Sequence, residues 1–263
     1  MQLNISLKYP LVLVHGIAAH DRSKYFNFWG RIPKVLQDKG IKVFYGNTDS
    51  WGDFDSNAKI LKNTIDKILL EQKTEKVNII AHSKGGIDSR YYIWKNNSEE
   101  KVASLTTIST PHLGSELADL IYKQPIIHSR NIKKSLALIG KLYGDSNPDM
   151  YSTNYHLTTN KMKQFNSSIL MDEKVYYQSL YTTMRNSFDD LMFSYSYLYL
   201  RIERGENDGV VSEYSVQWGE NVRKIASGIS HGEILDIKRR KISGIYIPGI
   251  YLKIADDLSK KGF

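Results

Sequence analysis

The sequence contains no cysteine in its 263 residues. This absence excludes disulfide bonds, a thiolate nucleophile and cysteine-based zinc sites. Long apolar runs are also missing, and none approaches the ~20 residues that a helix needs to cross a bilayer. Residues 1–10 lack both a basic start and a long apolar stretch, so no signal peptide is expected in this chain. We therefore expect a cytoplasmic protein or the processed form of a secreted one.

Acidic residues are fewer than basic ones, at 28 against 36, which gives a net charge of +8. The densest basic run is Lys-Arg-Arg-Lys at residues 238–241. No nucleic-acid-binding motif accompanies this run, so we expect a solvated surface and no nucleic-acid partner. The hydrophobic content of 41% and the charged content of 24% are typical of a globular protein.

Apolar strand patterns alternate with helical patterns in the N-terminal half. Strands are predicted at residues 11–14, 41–45, 77–81 and 104–109, and helices at residues 57–71 and after residue 83, the latter with Ile87, Tyr91 and Trp94 facing inward. Repeated strand-then-helix units build a parallel sheet that is covered on both faces. The pattern therefore predicts an α/β fold, a mostly parallel central sheet flanked by helices.

The pattern changes after residue 115. Residues 116–173 combine helical stretches with polar patches, and nine of the eighteen tyrosines lie between Tyr143 and Tyr199. We interpret residues 116–173 as a helical cap or lid inserted within a single domain that spans residues 1–263. Ordinary packing of peripheral helices is the alternative. Further strands are predicted at residues 175–177 and 197–202.

A serine stands at a tight turn directly after one predicted strand. Residues 81–86 read Ala-His-Ser-Lys-Gly-Gly, with Ser83 at the tip. A nucleophile elbow has the pattern G-x-S-x-G, and Ala81 keeps the first position small. The segment therefore predicts that Ser83 is a catalytic nucleophile. The alternative is an ordinary turn in which the serine only caps the next helix.

A serine hydroxyl needs a histidine base that is oriented by an acid. In an α/β-hydrolase the chain order is Ser, then Asp or Glu, then His. Of the seven histidines, His231 is the one that lies beyond the last predicted core strand, in a glycine-flanked loop. Asp208 follows predicted strand 197–202 in an Asn-Asp-Gly turn and is the expected acid. Glu206 is the alternative acid, and Asp208 would then be only a turn residue.

Two backbone N–H groups are expected to form an oxyanion hole. One belongs to Lys84, the residue after the nucleophile, and the other to Ile17, in the loop after the first core strand. The ammonium of Lys84 opposes the dipole of the helix that begins there. We expect this side chain to point into solvent or toward the cap.

Four segments together resemble those of bacterial triacylglycerol lipases, in particular the compact Gram-positive lipases and esterases with alanine before the elbow histidine. The four segments are residues 9–17, 81–86, 109–115 and 207–212. The resemblance is weakest across residues 116–173. It implies an α/β-hydrolase fold, a Ser83–Asp208–His231 triad, an oxyanion hole at Ile17 and Lys84, and hydrolysis of acyl esters such as acylglycerols through an acyl-enzyme.

The resemblance implies no required cofactor. Some relatives hold a structural calcium with an aspartate about twenty residues before the catalytic acid and another two after the catalytic histidine. Asp189 or Asp190 and Glu233 fall near those places, so structural calcium is an alternative to a metal-free protein. Other relatives hold zinc through two histidines before the elbow. No histidine occurs between His20 and His82, so this zinc site is not expected.

The expected partner is a small-molecule or lipid ester, with transient contact to a lipid interface. Two other functions fit the same scaffold. An acyltransferase would pass the acyl group to an alcohol instead of water. A non-catalytic binding module would keep the fold without turnover.

Overall fold

The structure is a computed structural model, and it describes residues 5–18, 21, 28–96 and 100–263. The strands of these residues are β1 (Leu11–Val14), β2 (Val43–Tyr45), β3 (Val77–His82), β4 (Val102–Ile108), β5 (Tyr176–Thr183) and β6 (Val222–Ser227). They form one sheet in the order β2-β1-β3-β4-β5-β6, and every neighbouring pair is parallel. Because parallel neighbours need crossover connections, helices must cover both faces. The predicted α/β class is confirmed.

The helices of the described residues connect and cover these strands. They are α1 (Ile32–Gln37), α2 (Phe54–Gln72), α3 (Lys84–Asn96), α4 (Glu116–Tyr122), α5 (Arg130–Tyr143), α6 (Met150–His156), α7 (Thr159–Ser168), α8 (Ser194–Glu203) and α9 (Ile247–Lys260). Short 3₁₀ turns occur at Pro125–His128, Leu191–Phe193 and Glu233–Leu235. Across the described ranges, no helix is both long and apolar enough to span a membrane.

The core has two layers because successive side chains of a strand point to opposite faces. Leu11 and Leu13 of β1 join the cluster formed with α1 and α9. Val12 and Val14 join the cluster formed with α2 and α3. All four are fully buried, and each such side chain contributes about 1.5–3 kcal/mol on burial. This two-sided burial explains the continuous apolar run at residues 11–14.

One predicted strand and one predicted side-chain orientation were wrong. Residues 197–202, predicted as a strand, lie in helix α8, where Tyr197 and Leu200 are buried at helical spacing. Trp94, predicted to face inward, is 46% exposed. Strand β6 was not predicted, and most of its side chains are half-buried or exposed. An edge strand of this kind lacks the apolar run that marks a central parallel strand.

Residues 116–173, interpreted as a cap, contain helices α4 to α7. Two aspartates connect this segment with the loop after β2. Asp145 accepts hydrogen bonds from the N–H groups of Ser50 and Trp51, at 2.7 and 2.8 Å. In return, Asp49 accepts from the N–H groups at residues 146 and 147, at 3.0 and 2.8 Å. The cap function of this segment stays a prediction.

Candidate active site

Ser83 occupies a strained turn between β3 and α3. Its φ is +54°, in the left-handed region that a non-glycine residue adopts at a cost of about 1–3 kcal/mol. Two hydrogen bonds hold the backbone there. The Ser83 N–H donates to the carbonyl of Ile108 at 2.9 Å, and the Thr110 hydroxyl donates to the Ser83 carbonyl at 2.8 Å. The turn therefore has the shape of the predicted nucleophile elbow.

The two glycines after Lys84 are required by close backbone approaches. A Cβ at Gly85 would lie 2.3 Å from the carbonyl oxygen of His15, and a Cβ at Gly86 would lie 2.2 Å from the hydroxyl of Thr110. Both contacts are too short for any side chain. Helix α3 can thus begin directly against the first core strand and the loop after β4.

The predicted nucleophile, base and acid lie within hydrogen-bond distance of one another. The Nε2 atom of His231 is 3.0 Å from Ser83 Oγ, and its Nδ1 atom is 2.8 Å from Asp208 Oδ2. The other carboxylate oxygen of Asp208 accepts from the N–H groups of Val210 and Val211, at 3.0 and 2.8 Å. With Nδ1–H donating to Asp208, Nε2 is free to accept the hydroxyl proton of Ser83.

Asp208 reaches this position by a different route from the predicted one. It does not follow a strand at residues 197–202, since that segment is helix α8. The chain returns from α8 to the carboxyl end of β5, where the Met184 N–H donates to the Asn207 carbonyl at 2.8 Å. The alternative acid, Glu206, pairs with Lys224 on the exposed side of the turn. The structure therefore brings Asp208, and not Glu206, to His231.

His82 packs against His231, the proposed base, and this contact was not predicted from the sequence. Its ring centroid lies 4.5 Å from that of His231, and its Nε2 is 3.1 Å from the His231 carbonyl oxygen. A carbonyl only accepts, so Nε2 carries the proton. Burial lowers the pKa of His82 well below its ordinary value. A neutral His82 thus holds the backbone of His231 without adding charge beside it.

The two backbone groups predicted for the oxyanion hole lie next to the serine. Lys84 is the first residue of α3, and Ile17 follows Gly16, at which a Cβ would lie 2.7 Å from Ser83 Cβ. Within the described ranges, neither the Ile17 N–H nor the Lys84 N–H donates to a protein acceptor. The oxyanion hole formed by these two groups stays a prediction.

The side chain of Lys84 does not point into solvent, so that part of the expectation was wrong. Lys84 and Asp88 are each 1% exposed, and the ammonium lies 2.8 and 3.0 Å from the two carboxylate oxygens. Asn57 donates a further hydrogen bond to Asp88 at 2.9 Å. Burial raises the pKa of Asp88, and the Lys84 ammonium opposes that rise. The buried pair explains how a lysine can stand at the start of α3.

His112, in the segment at residues 109–115, belongs to a buried cluster and not to the site at Ser83. Its Nδ1 atom accepts a hydrogen bond from Arg90 at 3.1 Å. Arg90 also donates to Asn166 at 2.7 Å and lies 4.0 Å above the ring of Trp218. Burial lowers the pKa of Arg90 to about 9 and the pKa of His112 well below its ordinary value. The cluster fixes the loop after β4.

Acidic residues considered for calcium are all in contact with cationic side chains of the chain. Asp189 forms an ion pair with Arg185 at 2.8 Å. Asp190 and Glu233 both face Lys238, at 3.4 and 2.6 Å.

A parallel sheet with a serine elbow after β3 and a histidine loop beyond β6 defines an α/β-hydrolase. Solved structures share this fold. The Staphylococcus hyicus lipase has a TM-score of 0.74 at 19% identity, covering 98% of this chain and 97% of the other. The mature Bacillus licheniformis lipase has a TM-score of 0.66 at 22% identity, covering 96% of both chains.

Sequence comparisons assign the family. Triacylglycerol lipase 2 of Saccharomyces cerevisiae is 31% identical, covering 95% of this chain and 83% of that protein. A triacylglycerol lipase of Pseudarthrobacter phenanthrenivorans is 37% identical, but the match covers 43% of this chain and 36% of the relative. A sequence model of the palmitoyl protein thioesterase family matches residues 10–169. The chain therefore belongs to the α/β-hydrolase lipases and esterases that this family model and these relatives represent, and it is an ester hydrolase.

Proposed function

We propose that the protein is a serine lipase or esterase that cleaves acyl esters of lipids, acylglycerols among them, through an acyl-enzyme formed on Ser83. The observation that carries this proposal is the hydrogen-bonded series from Ser83 Oγ through His231 to Asp208. Relatives named triacylglycerol lipase support the lipid-ester substrate.

In the acylation step, Ser83 Oγ attacks the carbonyl carbon of the ester, and Nε2 of His231 takes the hydroxyl proton. Asp208 holds the ring with Nδ1–H toward it and stabilises the imidazolium that forms. The carbonyl oxygen becomes an oxyanion, which accepts hydrogen bonds from the N–H groups of Ile17 and Lys84. When the tetrahedral intermediate collapses, the C–O bond breaks and the alcohol leaves with the proton from His231.

In the deacylation step, water replaces the alcohol. His231 takes one proton from the water while its oxygen attacks the acyl carbon. Collapse of the second intermediate releases the carboxylic acid, and the proton on His231 returns to Ser83 Oγ. Ser83 and His231 are only 7% and 8% exposed, so the charges that form are poorly screened by solvent and interact strongly with the protein.

Exposed apolar side chains beside the site support a lipid substrate and transient contact with a lipid interface. Phe193 packs against Gly209 and Gly232, the residues that follow Asp208 and His231. A Cβ at these glycines would lie 2.6 and 3.3 Å from the side chain of Phe193. Its neighbours Leu191 and Met192 are 73% and 83% exposed. An apolar surface at this place suits the acyl chains of an ester that is presented by a lipid phase.

Helix α5, within the predicted cap, has a second surface of this type. Leu138 and Leu142 are 59% and 80% exposed, and the sequence of α5 contains no acidic residue. An exposed apolar stripe on a basic helix is typical of contact with a lipid surface. The exposed apolar stripe of α5 supports our interpretation of residues 116–173 as a cap.

Hydrolysis of p-nitrophenyl esters of increasing chain length tests the proposal. Ser83→Ala is expected to lower kcat/KM by about 10⁴-fold or more with an unchanged circular dichroism spectrum, because the nucleophile is lost. Ser6→Ala, at an exposed serine before β1, is the control and is expected to keep full activity. Retained turnover in Ser83→Ala would contradict the proposal.

Product analysis separates hydrolysis from acyl transfer. With water and an excess of alcohol in competition, a hydrolase releases the free acid as its main product, whereas an acyltransferase gives the new ester. A palmitoyl thioester in the same series tests the activity that the family model's name suggests. Absence of both products with every ester would favour a binding module.

A further inference from the structure

A lysine lies between two carboxylates next to His231. Asp190 precedes the 3₁₀ turn Leu191–Phe193, and Glu233 begins the turn two residues after His231. The Lys238 ammonium lies 2.6 Å from Glu233 Oε1 and 3.4 Å from Asp190 Oδ2. The carboxylates are nearly buried, at 10% and 3% side-chain exposure, whereas the Lys238 side chain is 37% exposed. Lys238 thus bridges two loops of the site.

Ser230, directly before His231, is hydrogen-bonded to both carboxylates. Its hydroxyl donates to Asp190 Oδ2 at 2.7 Å, and its N–H donates to Glu233 Oε2 at 3.1 Å. The hydroxyl also accepts from the Glu233 N–H at 3.2 Å. The position of the base therefore depends on how firmly the two carboxylates are held together.

These residues do not fit a calcium ion. Calcium takes six to eight oxygen ligands at about 2.3–2.6 Å. Here the ammonium of Lys238 stands at the point where a cation would bridge Asp190 and Glu233, and the oxygens that face Ser230 are already hydrogen-bonded. Asp189 is bound by Arg185 and is not available as a substitute. A divalent ion could enter only if Lys238 moved away.

We propose that Lys238 takes the place of a structural calcium ion in this chain, joining Asp190 to Glu233 and holding the Ser230–His231 loop in position. Lys238 is then a positioning residue for the reaction, and the protein needs no divalent cation. The catalytic part of this inference rests on the proposed role of His231, whereas the structural part stands without it.

The experiment compares Lys238→Gln with Lys241→Gln, an exposed lysine in the same basic run. Thermal midpoint, kcat and KM with p-nitrophenyl butyrate are measured in excess EGTA and in millimolar calcium. The wild type is expected to have the same thermal midpoint, kcat and KM in EGTA as in calcium. Lys238→Gln is expected to lose about ten-fold in kcat with little change in KM, because His231 is less well placed. Lys241→Gln is expected to behave as wild type.

Two further variants separate positioning from general loss of structure. Lys238→Arg is expected to retain most of the kcat, since a guanidinium can bridge the same carboxylates. Calcium is expected to restore part of the kcat and thermal midpoint of Lys238→Gln, but not of Lys238→Gln/Glu233→Gln. A wild type whose thermal midpoint falls in EGTA would overturn the proposal, as would a Lys238→Gln variant equal to Lys241→Gln. If the wild type has no esterase activity, the proposed function fails while the thermal comparison still tests the bridge.

Discussion

Replacing Asp88 by asparagine removes the counter-ion of a lysine that has almost no contact with solvent. Lys84 and Asp88 are each 1% exposed, and their charged groups are separated by 2.8 Å. In Asp88→Asn the ammonium stays buried opposite a neutral amide, which still faces the donor of Asn57. Breaking a buried ion pair in this way costs about 3–5 kcal/mol, because the remaining charge is desolvated without compensation.

The expected loss is large enough to measure by thermal unfolding. For a chain of this size, each kcal/mol lowers the midpoint by about 2–4 °C, so Asp88→Asn should lower it by about 6–20 °C. The pair Lys34–Asp38 has the same spacing at the C-terminal end of α1, with side chains 78% and 58% exposed. Asp38→Asn is therefore the matched control, with an expected loss of about 0.5 kcal/mol or less.

The double variant Lys84→Met/Asp88→Leu tests the cause. If the cost comes from an unpaired buried charge, removing both charges should recover much of the stability that Asp88→Asn loses. Because Lys84 directly follows Ser83, esterase activity of the double variant also reports whether the pair shapes the elbow. Equal midpoints for Asp88→Asn and Asp38→Asn would refute the reasoning.

The remaining predictions concern pH and the acid of the triad. His112 is neutral when folded because burial lowers its pKa well below 6.5, whereas the unfolded chain takes up that proton as pH falls through about 6.5. The stability that the neutral His112 contributes should therefore be present above that pH and be lost below it. Urea unfolding at about pH 6 and pH 5 gives the change in the free energy of unfolding per pH unit, which should be smaller in His112→Asn than in the wild type by about 1.4 kcal/mol. An equal pH dependence in the two proteins would contradict this. Asp208→Asn should lower kcat by about 10³–10⁴-fold with the fold intact, because the amide no longer fixes the His231 tautomer. Glu206→Gln should keep most of the activity. Equal losses of kcat in the two variants would contradict the assignment of Asp208 as the acid.

Most of the sheet and the three proposed catalytic residues could be predicted because their signals are local or follow from chain order. Strand β1 is an uninterrupted apolar run, and the elbow is a contiguous hexapeptide. His231 was found by its order in the chain, which does not require the intervening elements to be right. The same order pointed to Asp208, which lies beside His231 although the segment predicted as the strand before it is helix α8.

The failures have physical causes. Tyr197 and Leu200 are aromatic and apolar residues in a short segment, where a buried helix and a buried strand cannot be told apart by periodicity. Strand β6 lies at the sheet edge, and its pairing with β5 shifts register between Tyr181 and Thr182, so the alternation of a strand is lost. The Lys84–Asp88 pair was visible as an i, i+4 spacing, but its burial depends on Asn57 and on packing that the spacing does not contain.

Labelling with a fluorophosphonate probe tests the central claim most directly, because the probe forms a covalent bond only with an activated serine. We expect one adduct per chain in the intact mass, localised to Ser83 by peptide mapping, and at least a hundred-fold slower labelling in His231→Ala, in which the base is missing. Labelling at another serine, or labelling of Ser83 at an unchanged rate in His231→Ala, would contradict the account.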